Sequence, residues 1–135
     1  YCGEWIESHA LHVHLLQAPD FFEVSSGIEL ARQFPDEVRR GLRLKKHGNQ
    51  LVAAIGGRAI HPVNVAVGGF HRWPPREDLR KLIPDFEWGL QAAQETARWS
   101  ASFSYPELDI DYDFVAVSHP GEYAMNAGDI VSSKR

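Results

Sequence analysis

A mainly α-helical chain with a small β component is predicted here, on three observations. Apolar residues recur at three- and four-residue steps from Trp5 to Leu16, from Val38 to Ile55 and from Leu79 to Ala101. Pro19, Pro35, Gly56-Gly57 and Pro84 punctuate those runs as helix starts and stops do. Alternating, β-branched stretches are few and short, at Val63–Val67 and Tyr112–Val117.

The first run is the most informative. Trp5, Ile6, His9, Val13 and Leu16 fall on one helical stripe and Leu11 and Leu15 on another, until Pro19 is expected to stop the helix. An element apolar on two flanks predicts a core helix with neighbours on more than one side. Ser25-Ser26-Gly27 reads as a loop, followed by a short helix over Ile28–Phe34 that ends before Pro35. Pro35 suits a first helical turn, Asp36 and Glu37 suit the positive end of the dipole, and Val38, Leu42, Asn49, Val52 and Ile55 mark a buried face down to Gly56-Gly57. Arg39, Arg40, Arg43, Lys45 and Lys46 cover the other side as a solvated face, a basic docking patch being the alternative.

Beyond the glycine pair, Val63–Val67 reads as a strand closed by Gly68-Gly69-Phe70. Neither a G-x-x-x-x-G-K-[ST] nor a G-x-G-x-x-G is present, so these glycines are not a phosphate loop. Leu79, Leu82 and Ile83, then Phe86, Leu90, Ala93, Ala97 and Ala101, predict one short and one long helix, or a single helix kinked at Pro84. The small residues Ala93, Ala97 and Ala101 would let that helix pack closely on the Trp5–Leu16 helix, with Trp88 and Trp99 as core or interface anchors. Tyr112–Val117 is a strand, His119–Tyr123 a turn, and Asp129–Arg135 a last short strand or tail. Asp109, Asp111 and Asp113 alternate as calcium ligands could, but Ile110 and Tyr112 intervene and the glycine and glutamate of an EF-hand loop are missing.

Composition narrows the function classes. The chain has 135 residues, 44% apolar and 24% charged, as expected of one soluble domain over residues 1–135. A net charge of −4 without a clustered basic face argues against a nucleic-acid partner, and no apolar run suggests a membrane span. Cys2 is the sole cysteine and nothing in the sequence resembles a signal peptide, so a reducing cytoplasm is expected. Because the chain opens at Tyr1 and enters a helix at once, an excerpt of a longer protein is expected.

His9, His12 and His14 are the polar exceptions in the first helix. Hydrogen-bonded core or groove histidines are the simplest reading of His12 and His14. A zinc site is the alternative, yet there is no H-E-x-x-H, and one cysteine cannot complete a thiolate cluster.

Two stretches carry a family resemblance: Glu7-Ser8-His9-Ala10-Leu11-His12 through Ala18-Pro19-Asp20-Phe21, and Gly57-Arg58-Ala59-Ile60-His61-Pro62-Val63-Asn64-Val65-Ala66-Val67-Gly68-Gly69-Phe70. They resemble the large subunit of nickel-iron hydrogenases, in its cytoplasmic pyridine-nucleotide-linked or sulfhydrogenase branch. The likeness runs on through Glu87-Trp88-Gly89-Leu90 to the Asn126–Lys134 tail. It implies a helical-core fragment of that fold, from an enzyme that interconverts hydrogen with protons and electrons. The family holds nickel and iron with two C-x-x-C motifs, and neither is present here. Cys2-Gly3-Glu4-Trp5 with His9 mimics the spacing of the first motif, but the Ser8–His12 segment matches a stretch lying after it.

By resemblance, His9 stands where a family histidine hydrogen-bonds toward a cysteine ligand of the metals, and Ser8 where many relatives carry an aspartate near the active-site pocket. His61 takes a structural place near the strand, and His12 a packing one. The expectation is therefore a central fragment that is inactive and holds no cofactor or metal itself, the nickel-iron centre belonging to the intact enzyme. Its partners there are an iron-sulfur small subunit, together with the remainder of the large one. Alone, its uncovered apolar surface would favour a homo-oligomer. A self-standing binding or scaffold protein of the same fold is the alternative, and a small histidine-based metal hydrolase a further one.

Overall fold

The first helix does not stop where Pro19 predicts. In the computed structural model, α1 (Cys2–Leu11) runs into a π-helical turn (His12–Gln17) and then into α2 (Ala18–Phe21), which contains Pro19. The Ala18 N–H reaches back five residues to the Val13 carbonyl. Proline lacks an N–H and its ring clashes with the carbonyl four residues before it, so a widened turn just upstream lets the helix continue. It ends beyond the proline instead: Glu23 takes φ 54° and the Val24 N–H bonds the Pro19 carbonyl at 3.0 Å.

The structure describes residues 1–125 and 127–135. The Asn126 end of the tail singled out above lies outside the described residues. Two units divide the chain, Tyr1–Ser104 and Tyr105–Arg135.

In the first unit, α3 (Gly27–Gln33) is capped by Ser26, whose Oγ accepts from the Glu29 N–H at 3.3 Å. The Glu29 carboxylate accepts in turn from the Ser25 N–H and hydroxyl, at 2.9 and 2.8 Å, which holds its pKa below the usual carboxylate value. The long α4 (Pro35–Gly56) ends with Gly57 at φ 88°, a left-handed conformation that glycine adopts without strain. Its buried residues are Val38, Gly41, Leu44, His47, Gly48 and Gly56, whereas Leu42, expected inside, is 47% exposed. The buried line of the first helix is likewise Gly3, Ala10, His14 and Ala18, not the bulky stripe; Leu16 is 59% exposed.

The cause is backbone contact. A Cβ on Gly48 would sit 2.5 Å from the Gly3 carbonyl oxygen, and one on Gly3 would sit 3.0 Å from the Gly48 oxygen. Where two helices touch main chain to main chain, small residues occupy the seam and large ones are displaced to its flanks. The solvated basic face holds for Arg39, Arg43 and Lys46, which are exposed, but Arg40 pairs with Glu95 at 3.1 Å, Lys45 with Glu7 at 2.8 Å, and the Arg43 guanidinium lies 3.7 Å from the Trp88 ring centre.

A hairpin follows, β1 (Val65–Ala66) against β2 (Gly69–Phe70), with Val65 opposite Phe70. Asn64 fixes its base. Its Nδ2 donates to the Ile55 and Arg72 carbonyls, both at 2.8 Å, and its Oδ1 accepts from the Arg72 N–H at 3.1 Å. Then come α5 (Arg76–Arg80) and α6 (Ile83–Ala101), the two-helix alternative, with Pro84 in the first turn of α6.

Two cores result. Ala18, Leu30, Val38 and Phe103 pack with an aromatic group in which Phe22 and Phe34 lie 4.3 Å apart and Trp99 and Phe103 4.8 Å apart, centre to centre. Ala10, Leu44 and Ala92 form the other, with Trp88 against it. Both tryptophans are the anchors expected of them.

In the second unit, β3 (Val115–Ser118) pairs antiparallel with β4 (Asp129–Ser132). Asp111 meets Lys134 at 2.8 Å and Asp113 accepts from the Ser132 hydroxyl at 2.5 Å, so these two aspartates serve the hairpin.

Gly48→Ala tests the helix contact. Alanine gains up to about 1 kcal/mol of helix propensity over glycine. The 2.5 Å clash with a main-chain oxygen outweighs that, and a net loss of about 1–3 kcal/mol is expected in urea unfolding. Gly89→Ala in α6, where the nearest atom is the Leu44 Cδ2 at 3.9 Å, should instead stabilise the protein.

Candidate functional site

Between the first helix and α6 lies an apolar groove of about 630 Å³, floored by α4. Trp5, Ile6, His9 and Val13 line one wall, Phe86, Leu90, Ala93 and Ala97 the other, and Leu44 and His47 the floor. The alanine seam of α6 therefore faces the first helix across an open groove, where close packing was expected. On the α6 wall Ala93 and Ala97 are too short to fill the space beyond Phe86 and Leu90.

The three histidines of the first helix have three different surroundings. His9 is exposed on the groove wall, and its Nδ1 lies 2.8 Å from the Trp5 carbonyl oxygen. A carbonyl only accepts, so Nδ1 carries the proton and neutral His9 offers Nε2 as a lone pair. Ser8 is exposed beside it; its hydroxyl donates to the same carbonyl at 3.3 Å and sits 3.3 Å from His9 Nδ1. Ser8 and His9, the two residues singled out by resemblance, are thus both exposed on one turn. His12 is exposed, not packed. His61 is exposed at φ 50°, its carbonyl accepting from Arg58 Nε.

His14 is fully buried and ties three elements. Its Nδ1 donates to the Ala10 carbonyl at 3.0 Å, its Nε2 lies 3.3 Å from the Thr96 hydroxyl of α6, and its ring stacks on Trp99 with centres 5.5 Å apart. A Cβ on Gly41 of α4 would overlap that ring, so only glycine admits it. Thr96 Oγ is also 2.8 Å from the Ala92 carbonyl, so its single proton has two acceptors. Burial holds the His14 pKa below the ordinary histidine value, with Arg40 adding to that; the Ala10 hydrogen bond and Glu37 oppose it.

His47 and Thr96 are residues that sequence reasoning missed. His47 is buried, its Nδ1 donates to the Asp85 carbonyl at 3.0 Å, and its Nε2 lies 3.6 Å from the Asp85 carboxylate. Helical glycines seven apart, Gly41 and Gly48, were the available signal, since each marks where a neighbouring backbone or ring presses on α4. Among the described residues no three His, Cys, Asp or Glu side chains group as a metal site.

These features define a helical chain with an apolar groove edged by histidines whose Nδ1 protons are pinned by main-chain carbonyls. No family model matches it. It is 32% identical over 134 residues to the alpha subunit of sulfhydrogenase 1 from Pyrococcus furiosus, covering 98% of this chain and 31% of that protein. It is 45% identical over 80 residues to the alpha subunit of sulfhydrogenase 2 from the same organism, covering 59% of this chain and 19% of that one. Against the matching subunit of the vhu F420-non-reducing hydrogenase of Methanocaldococcus jannaschii, identity is 32% over 101 residues, covering 70% of this chain and 24% of the relative. The homologues of this chain are hydrogenase alpha, or large, subunits, and it spans less than a third of their length.

A pH dependence follows from His14. Below about pH 6.5 the unfolded chain takes up a proton that the folded chain resists. Stability from this residue is therefore complete above that pH and declines as pH falls toward the lowered folded value. The slope of unfolding free energy between about pH 7 and 5 should flatten in His14→Gln, whatever that variant's absolute stability. Equal slopes in the two proteins would contradict the assignment.

Proposed function

We propose that this chain is the central portion of a nickel-iron hydrogenase large subunit, which in the intact enzyme reversibly oxidises hydrogen to protons and electrons. The observation that carries this is similarity over 98% of the chain to only 31% of the sulfhydrogenase 1 alpha chain. A nickel-iron centre rests on four thiolates, and Cys2 is the one thiol of these 135 residues, exposed at the start of α1. The residues present do not fit that centre. On this reading its ligands come from polypeptide outside this stretch, and the chain alone does not catalyse the reaction.

What the chain supplies is a wall. The groove face, with Trp5 37% and Leu90 65% exposed, buries against the remainder of the large subunit, whose iron-sulfur small partner completes the enzyme. His9 acts from that wall. With Nδ1–H committed to the Trp5 carbonyl, Nε2 accepts a hydrogen bond when the ring is neutral and donates toward a cysteine thiolate when it is protonated. Ser8 steadies the carbonyl that holds the ring.

The purified chain should carry no stoichiometric nickel by elemental analysis and show no hydrogen-dependent dye reduction. One nickel per chain retained through desalting would overturn the reading. In the complete large subunit, His9→Gln should lower activity by roughly 10–100-fold with metal content kept, as expected when an outer hydrogen bond to a ligand is lost.

A further inference from the structure

We propose that the β1–β2 hairpin and its flanking loops form a docking surface for an extended, acidic and apolar segment of a partner polypeptide. The first ground is charge. From Val38 to Arg76 the sequence contains no aspartate or glutamate, although the whole chain carries −4. On α4 most of the cations in that stretch have uses within the fold: Arg39 with Asp36, Arg40 with Glu95, Lys45 with Glu7, and Arg43 on Trp88. Around the hairpin, Arg58 is committed to the His61 carbonyl, but two other arginines are not so used. Arg72 and Arg76 are exposed, and neither pairs with a carboxylate among the described residues. An anionic partner meets them without breaking an internal pair, and guanidinium groups accept carboxylates in bidentate fashion.

The second ground is the apolar side. Val65 in β1 is 54% exposed, Val63 and Val67 on either side of that strand are 60% and 109% exposed, and Trp73 is 83% exposed. A segment carrying both bulky apolar residues and acids would lay the first on these side chains and turn the second toward the arginines. Among the described residues the two strands pair only with each other, so their short outer edges are open to further main-chain hydrogen bonds. The Asn64 clamp already holds the hairpin base, which lowers the entropy lost on binding. Aliphatic side chains dominate the exposed face, which favours a polypeptide over a nucleic acid.

The test uses the whole chain and a fluorescent synthetic octapeptide alternating aspartate with valine and tyrosine, read by anisotropy. Saturable binding is expected, weakening about tenfold between roughly 50 and 300 mM salt. Arg72→Glu combined with Arg76→Glu should abolish it, with circular dichroism and urea midpoint unchanged, and Val67→Asp should weaken it. Lys46→Glu, on the exposed side of α4, should leave binding intact. Several results would overturn the proposal: no saturable binding, equal affinity for a peptide with lysine in place of aspartate, or equal affinity in the double variant. So would stronger hairpin-dependent binding to single-stranded RNA or to phosphatidylglycerol vesicles, or hairpin-dependent self-association in place of peptide capture.

Discussion

The contact between α1 and α4 at Gly3 and Gly48 is the constraint on which the rest of the first unit depends. Main-chain approach at this distance admits no side chain, which fixes the rotation of both helices about their axes. Once α4 is so rotated, Gly41 faces the first helix further along the seam, and the His14 ring fills the space. From there its Nε2 reaches Thr96 and positions α6. Glu7 and Lys45 close the flank of the seam, partly screened by solvent, so their pairing adds orientation more than stability.

Element type was legible because period and punctuation agreed: each long apolar run became a helix, and Gly57 and Pro84 sit where their backbone preferences place them. The facing of those helices was not legible. A periodicity argument assumes that the bulkiest stripe is the buried one, and here glycine and alanine are buried while Leu16 and Leu42 look outward. Hydrophobic size tracks burial only where side chains, rather than backbones, make the contact. Asn64 shows a different limit. One amide satisfies three main-chain groups across a loop, and no local pattern announces a partner eight or nine residues away.

Of the residues singled out in the sequence, Ser8 and His9 are exposed neighbours, while the structural duty falls to His14 and to His47, which the sequence reading did not single out. These four differ less in residue type than in whether a neighbouring helix closes over them. His9 stands on the groove rim because the small α6 residues opposite it do not reach across. The same gap that leaves Trp5 and Leu90 partly uncovered keeps a histidine lone pair accessible, so apolar exposure and chemical availability have one origin.

The π-helical turn at His12–Gln17 has a genetic consequence. Each helical residue advances the chain by about 100°, so a turn holding one residue more than an α-turn is an insertion the fold has absorbed in place. Deleting a codon there would restore regular winding but rotate Cys2–Leu11 by that angle relative to Ala18–Phe21, bringing a bulky side chain onto the Gly48 backbone. Reading-frame-preserving gaps are consequently barred from this turn although it is irregular. Substitutions that keep the count are constrained chiefly at His14, under Gly41, and at Leu15, which packs on the Ala18–Leu30 core beside Gly27.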